Sequence, residues 1–181
     1  MSYKRSKYNK GFTLIELMTA VSIFVVVMTI SMGAILNIFD ANRKARTLKT
    51  VLNNLNLVVE SMSKEVRYGR NYHCGSSGSL TSPENCAGGD TFLSFLASDG
   101  VQTTYRFANS RIEKQSGSGN FIPLTAPEIV IDDIVFYTLG AGTNNSLQPK
   151  VIIKIKSHAG SGGDRSDFVL ETLVSQRTLD I

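Results

Sequence analysis

Gly11, Phe12 and Glu16 are the residues whose types and spacing most invite chemistry. Glycine carries no side chain, so an extended backbone at Gly11 enters a protease cleft with little obstruction. Four basic residues, Lys4, Arg5, Lys7 and Lys10, precede it, and an apolar run follows. Glu16 is the only charged residue between Gly11 and Asp40. A carboxylate in an apolar phase costs several kcal/mol unless it is paired. Glu16 is therefore either a carboxylate awaiting a cationic partner or an interfacial residue reaching the head groups of a protein that never assembles.

The other candidates lie far downstream. Cys74 and Cys86 stand near the ends of a Gly/Ser-rich stretch, Asn71–Gly89, beyond a segment suited to export. That placement reads as one disulfide. A zinc site using both thiols and His73 is the rival, and it lacks a fourth ligand. His73 and His158, the only histidines, both border Gly-rich loops and read as solvated. Asp164 and Asp167 offer carboxylates to calcium, but two are few for an ion that takes about six to eight oxygens. Arg165 opposes them, so a solvated acidic loop is expected. No nucleophile–base arrangement, P-loop, dinucleotide fingerprint or metal-ligand run is present. The chain reads as a non-enzyme with no cofactor and no metal.

The chain has 181 residues, 19 Lys+Arg and 15 Asp+Glu, for a formal net charge of +4. The four leader cations account for the excess, leaving 15 basic and 15 acidic residues after Gly11. A neutral body argues against a nucleic-acid interface. From Leu17 to Phe39 no residue is charged. About 20 apolar residues suffice for a helix to span the hydrocarbon core. Three readings compete: a secretory signal cut near Ser31-Met32-Gly33, an uncleaved anchor, or a segment processed at its leading edge. Signal cores are usually shorter, and Gly33 lies inside the apolar run. Arg43, Lys44, Arg46 and Lys49 match the four leader cations in number, so charge alone does not orient the span.

The run Lys10-Gly11-Phe12-Thr13-Leu14-Ile15-Glu16-Leu17 closely resembles the class III prepilin signature of type IV pilins and type II secretion pseudopilins. The resemblance is specific over residues 4–40. It implies that a prepilin peptidase cuts after Gly11 and that the same enzyme methylates the new N-terminal amine on Phe12. It implies that Glu16 pairs with the N-terminal amine of an adjacent subunit. The expected partners are that peptidase/methyltransferase, other pilin or pseudopilin subunits and an inner-membrane assembly platform. The chain would wait in the cytoplasmic membrane, N-terminus in, with its outer domain outside, and then enter an extracytoplasmic fibre. Many relatives carry proline where Gly33 stands, so local helix melting and close helix packing are both open there.

These residues need elements to hold them. Leu48, Val51, Leu52, Leu55, Val58, Val59, Met62 and Val66 fall on one helical stripe. Arg43, Lys44, Lys49, Asn53, Asn54, Glu60 and Lys64 fall between them, and Gly69 is the expected stop. Thr91–Ala97 and Val101–Phe107 flank Ser98-Asp99-Gly100 as a hairpin. Arg111–Gln115 reads as a short edge strand. Ile129–Leu139 reads as a strand bent or bulged at Asp132-Asp133. Val151–Ser157 alternates, with Val151, Ile153 and Ile155 inward, and Phe168–Arg177 closes the set. The expected fold is α+β: a long N-terminal helix packed on an antiparallel sheet of five or six strands, in the pilin manner. The expected divisions are a leader (1–11), a transmembrane or fibre-core helix (12–39), its amphipathic continuation (40–69) and a β-rich outer domain (70–181). The stretch after the helix and the ending LETLVSQRTL resemble a minor pseudopilin of the J type more than a major pilin. The alternative is a single-pass anchored surface protein that binds a ligand and does not polymerise.

Overall fold

The computed structural model describes residues 11–127, 129–142, 147–160, 162 and 165–177. The basic leader and Asp164 lie outside the described residues. Helix α1 runs from Leu14 to Tyr68 and is followed by nine described strands, an α+β arrangement. The chain divides into two compact units, up to Arg43 and from Lys44 onward.

In the first unit the helix buries nothing. Phe12, Ile15, Phe24 and Phe39 are all exposed. Its hydroxyls are satisfied locally: Ser22 donates to Met18 O, Thr29 to Val25 O and Ser31 to Val27 O, each at 2.8 Å. A helix whose polar side chains bond back to its own carbonyls presents an apolar cylinder, as lipid requires. α1 is the one helix among the described residues long and apolar enough to cross a membrane. It is unbroken at Gly33, where an added Cβ would meet nothing within 4 Å.

In the second unit the same helix buries Val51, Leu55, Met62 and Val66. These join a single core with Phe95 and Tyr105 from one sheet and Phe136, Val151, Ile153 and Ile155 from another. The first sheet contains β1 (Arg70–Cys74), β3 (Phe92–Leu96), β4 (Gln102–Ala108), β5 (Arg111–Ser116) and β6 (Ile122–Pro123), in the order β1-β3-β4-β5-β6. The second contains β2 (Cys86–Asp90), β7 (Val130–Leu139), β8 (Lys150–Ala159) and β9 (Ser166–Ser175), in the order β2-β7-β8-β9. All named strand pairings are antiparallel.

Three expectations need correction. The described strands number nine and form two sheets, not one sheet of five or six. The stretch 71–89 is not all loop, because its ends are β1 and β2. β5 is not an edge, since β6 pairs beyond it. The hairpin of β3 and β4 and the bulge in β7 are where their residues put them, the register slipping between Ile131 and Asp133.

The helix ends abruptly at Gly69. Gly69 N–H donates to Val66 O at 3.1 Å, and the Tyr72 phenol lies 2.6 Å from Val66 O and 2.9 Å from Gly69 O. Arg177, following β9, donates its backbone N–H to Arg67 O at 2.9 Å. The carbonyls of Val66 and Arg67, two of those that a helix end leaves without a partner, are thereby satisfied. A Cβ on Gly69 would come within 2.5 Å of the Phe95 ring, so the close approach of helix end and sheet excludes any larger residue.

Candidate processing and assembly site

Gly11 and Phe12 precede the helix, which begins at Leu14, and neither lies in regular structure. Phe12 is 83% exposed, and nothing lies within 4 Å of a Cβ built on Gly11. The Gly11–Phe12 bond is thus accessible and non-helical, the form a protease binds.

Glu16 lies in the first helical turn. Its N–H donates to Thr13 Oγ1 at 3.4 Å, and the Thr13 hydroxyl donates to Glu16 Oε2 at 3.4 Å. Thr13 is the N-cap and Glu16 the third helical residue, the spacing of a capping box, with the carboxylate reaching the Thr13 hydroxyl in place of its backbone N–H. The side chain also faces the positive end of the helix dipole. Glu16 therefore has a local task that needs no second chain. The Thr-x-x-Glu spacing was readable from the residues Thr13–Glu16 alone.

The remaining candidates do not gather around this site. Cys74 on β1 and Cys86 on β2 form a disulfide, with Cα atoms 5.7 Å apart, and it ties an edge strand of one sheet to an edge strand of the other. The bond consumes both thiols, which removes the zinc arrangement with His73. His73 is not solvated: it is 1% exposed on β1, with Nδ1 2.9 Å from Ser82 O and Nε2 2.8 Å from Ser77 O. It holds the 75–85 loop down against β1. His158 is also largely covered, on β8, with Nδ1 2.9 Å from both Asp132 oxygens. Asp167 lies on β9 and accepts from Arg165 Nε at 2.7 Å.

Sequence reasoning also missed Glu65, on the buried side of the helix end. Glu65 Oε2 accepts from the Tyr105 phenol at 2.7 Å and Oε1 from Lys114 Nζ at 2.6 Å, joining the helix to β4 and β5. Burial first, then the hydrogen bond and charge of Glu65, push the Tyr105 phenol far above its ordinary value. A Glu one residue before Val66 in the apolar stripe was the only available signal.

Residues 6–32 match the family model described as the prokaryotic N-terminal methylation motif. Neither the comparison with curated proteins nor that with solved structures yields a match.

Proposed function

The chain carries over residues 6–32 the methylation motif that is the signature of type IV pilins and pseudopilins, and from that premise we propose that it is a fibre subunit made as a membrane precursor. Prepilin peptidase cuts after Gly11, and the amine of Phe12 becomes the methylated N-terminus. The observation that carries this reading is the motif itself, at an exposed, non-helical Gly11–Phe12 bond directly before an apolar helix.

Residues 12–39 then leave the bilayer by packing against the same segment of other subunits. Side-chain packing replaces lipid contacts, and Glu16 meets the cationic amine of a neighbour. Thr13 presents that carboxylate from a fixed turn. Before assembly the leader lies in the cytoplasm and the β-rich domain outside, held by the inner-membrane platform. The LETLVSQRTL ending favours a minor, J-type pseudopilin of a type II secretion system. A type IV pilus or a competence pseudopilus is distinguished from it by loss of piliation or of DNA uptake on deletion.

The test is the mature N-terminus, read by mass spectrometry on membranes with and without prepilin peptidase. A methylated Phe12 that depends on the peptidase supports the reading. An intact Met1 supports the anchored, non-polymerising protein instead, and a start near Ala34 a secreted one.

A further inference from the structure

Away from the N-terminus, the end of the second sheet collects three residues that are distant in sequence. His158 on β8 pairs directly with Asp167 on β9 and with Val130 on β7. Asp132 reaches them through the bulge. Ile131 and Ile134 are buried in the core, while Asp132 and Asp133 between them are not. A strand in strict alternation would turn one of the two aspartates inward. The extra residue keeps both out, which places Asp132 beside His158. One ligand atom from each of Asp132, His158 and Asp167 lies within 4.8 Å of the others.

We infer that Asp132, His158 and Asp167 form a binding site for a divalent transition ion of the zinc type. Four ligands at ~2.0–2.1 Å in a tetrahedron stand about 3.3 Å apart. The existing set has the right span and closes by rotation of the two carboxylates, whose side chains are 35% and 67% exposed. An imidazole with two carboxylates is a mixed N/O donor set, which suits zinc and its neighbours better than calcium. Three protein ligands leave a fourth position open to water or to a group from a partner.

Arg165 is the cation that an ion must displace here. Its Nε is 2.7 Å from Asp167 Oδ1 and its terminal nitrogen is 3.6 Å from Asp132 Oδ2. A guanidinium thus bridges the two carboxylates, occupying the place of a cation between them. It is partly exposed and at the margin of a cavity of about 400 Å³ lined also by Lys156, Ser157 and Phe168. An entering ion displaces Arg165 into solvent and takes its place between the two carboxylates, beside His158 Nδ1.

The experiment is titration of the purified, disulfide-intact full chain in detergent with Zn2+, and with Co2+ to report coordination by its absorption. One ion per chain is expected, with a tetrahedral or five-coordinate cobalt spectrum. His158→Ala and Asp167→Asn should each weaken binding at least tenfold, and Arg165→Ala should tighten it. Asp167→Asn changes an exposed side chain, so it decides the matter if His158→Ala fails to fold, as judged by circular dichroism. Absence of binding, unchanged affinity in these two variants, or equal competition by Ca2+ overturns the site. None of these outcomes bears on cleavage at Gly11, so this inference and the fibre reading fail separately.

Discussion

Residues 14–43 and 44–68 belong to one unbroken helix, yet they meet their surroundings in opposite ways. The earlier half exposes Phe24, Val26 and Ile30 and buries none of its side chains. The later half buries Val51, Leu55, Met62 and Val66 in the core of its own unit. The backbone geometry is the same, so the difference lies in what finishes each surface. The later half is amphipathic, and the chain itself supplies the sheets that cover its stripe. The earlier half is apolar on every side, and its Ser and Thr hydroxyls are already bonded to its own carbonyls. Its remaining requirement is a non-aqueous environment.

Substitutions that act on one half alone would sharpen that contrast. The largest effects belong to the earlier half, under the fibre proposal. Gly11→Val should abolish processing, leaving only precursor in a mass spectrum of membranes. Glu16→Ala should leave processing intact and stop assembly, seen as loss of sheared fibres, while Thr13→Ala costs the helix only ~0.5–2 kcal/mol. Intact fibres from Glu16→Ala would break the proposed pairing of Glu16 with a neighbour's amine.

In the later half, Leu55→Ala should lower the stability of the outer unit by about 2–5 kcal/mol in denaturant melts. Val26→Ala in the earlier half should leave that melt unchanged. A matching shift would mean that the two halves are not energetically separate.

Removing the disulfide by Cys74→Ser with Cys86→Ser should cost ~2–3 kcal/mol for a separation of 12 residues, again in the outer unit alone. The smallest effect is expected at the helix end. Glu65→Gln loses a charged acceptor for Tyr105 and Lys114, and about 1–2 kcal/mol is expected because the carboxylate is partly solvated. The Tyr105 phenol keeps its proton in the fold at a pH where the unfolded phenol, near 10, releases it. Its contribution is therefore complete below pH ~10 and is lost as pH rises further, and Tyr105→Phe should flatten that alkaline slope in pH-dependent melts.

What was legible in the residues follows from how local each signal is. The Lys10–Leu17 run, the helical stripe from Leu48 to Val66, the Gly69 stop and the Asp99-Gly100 hairpin are contained in short windows. The edge strands β1 and β2 were not legible, because Cys86-Ala87-Gly88-Gly89-Asp90 has almost no β-forming side chains. Gly89 is there for close approach: a Cβ would lie 2.4 Å from Val135 and 2.7 Å from Tyr137. His73 read as a loop residue because the carbonyls of Ser77 and Ser82 that enclose it come from a fold of the loop, not from a pattern. Asp132, His158 and Asp167 are gathered by a bulge and a ten-pair register, which no local window contains. Glu16 is the opposite case. Its Thr-x-x-Glu context lies within four residues, so both its charge and its place in the first helical turn are local signals.

The cross-sheet disulfide has a mechanical consequence. Tension along α1 that outlasts the core packing of Val51, Leu55, Met62 and Val66 leaves the helix at Gly69 and enters β1, the next element of the chain. Within five residues it reaches Cys74, and the sulfur–sulfur bond hands it to β2 and the second sheet. Load is shared between the sheets through a covalent link near its point of entry, before it tests the antiparallel ladders. The outer domain is in this sense anchored by a rivet beside the shaft, and under reducing conditions the same pull falls first on the hydrogen bonds between β1 and β3.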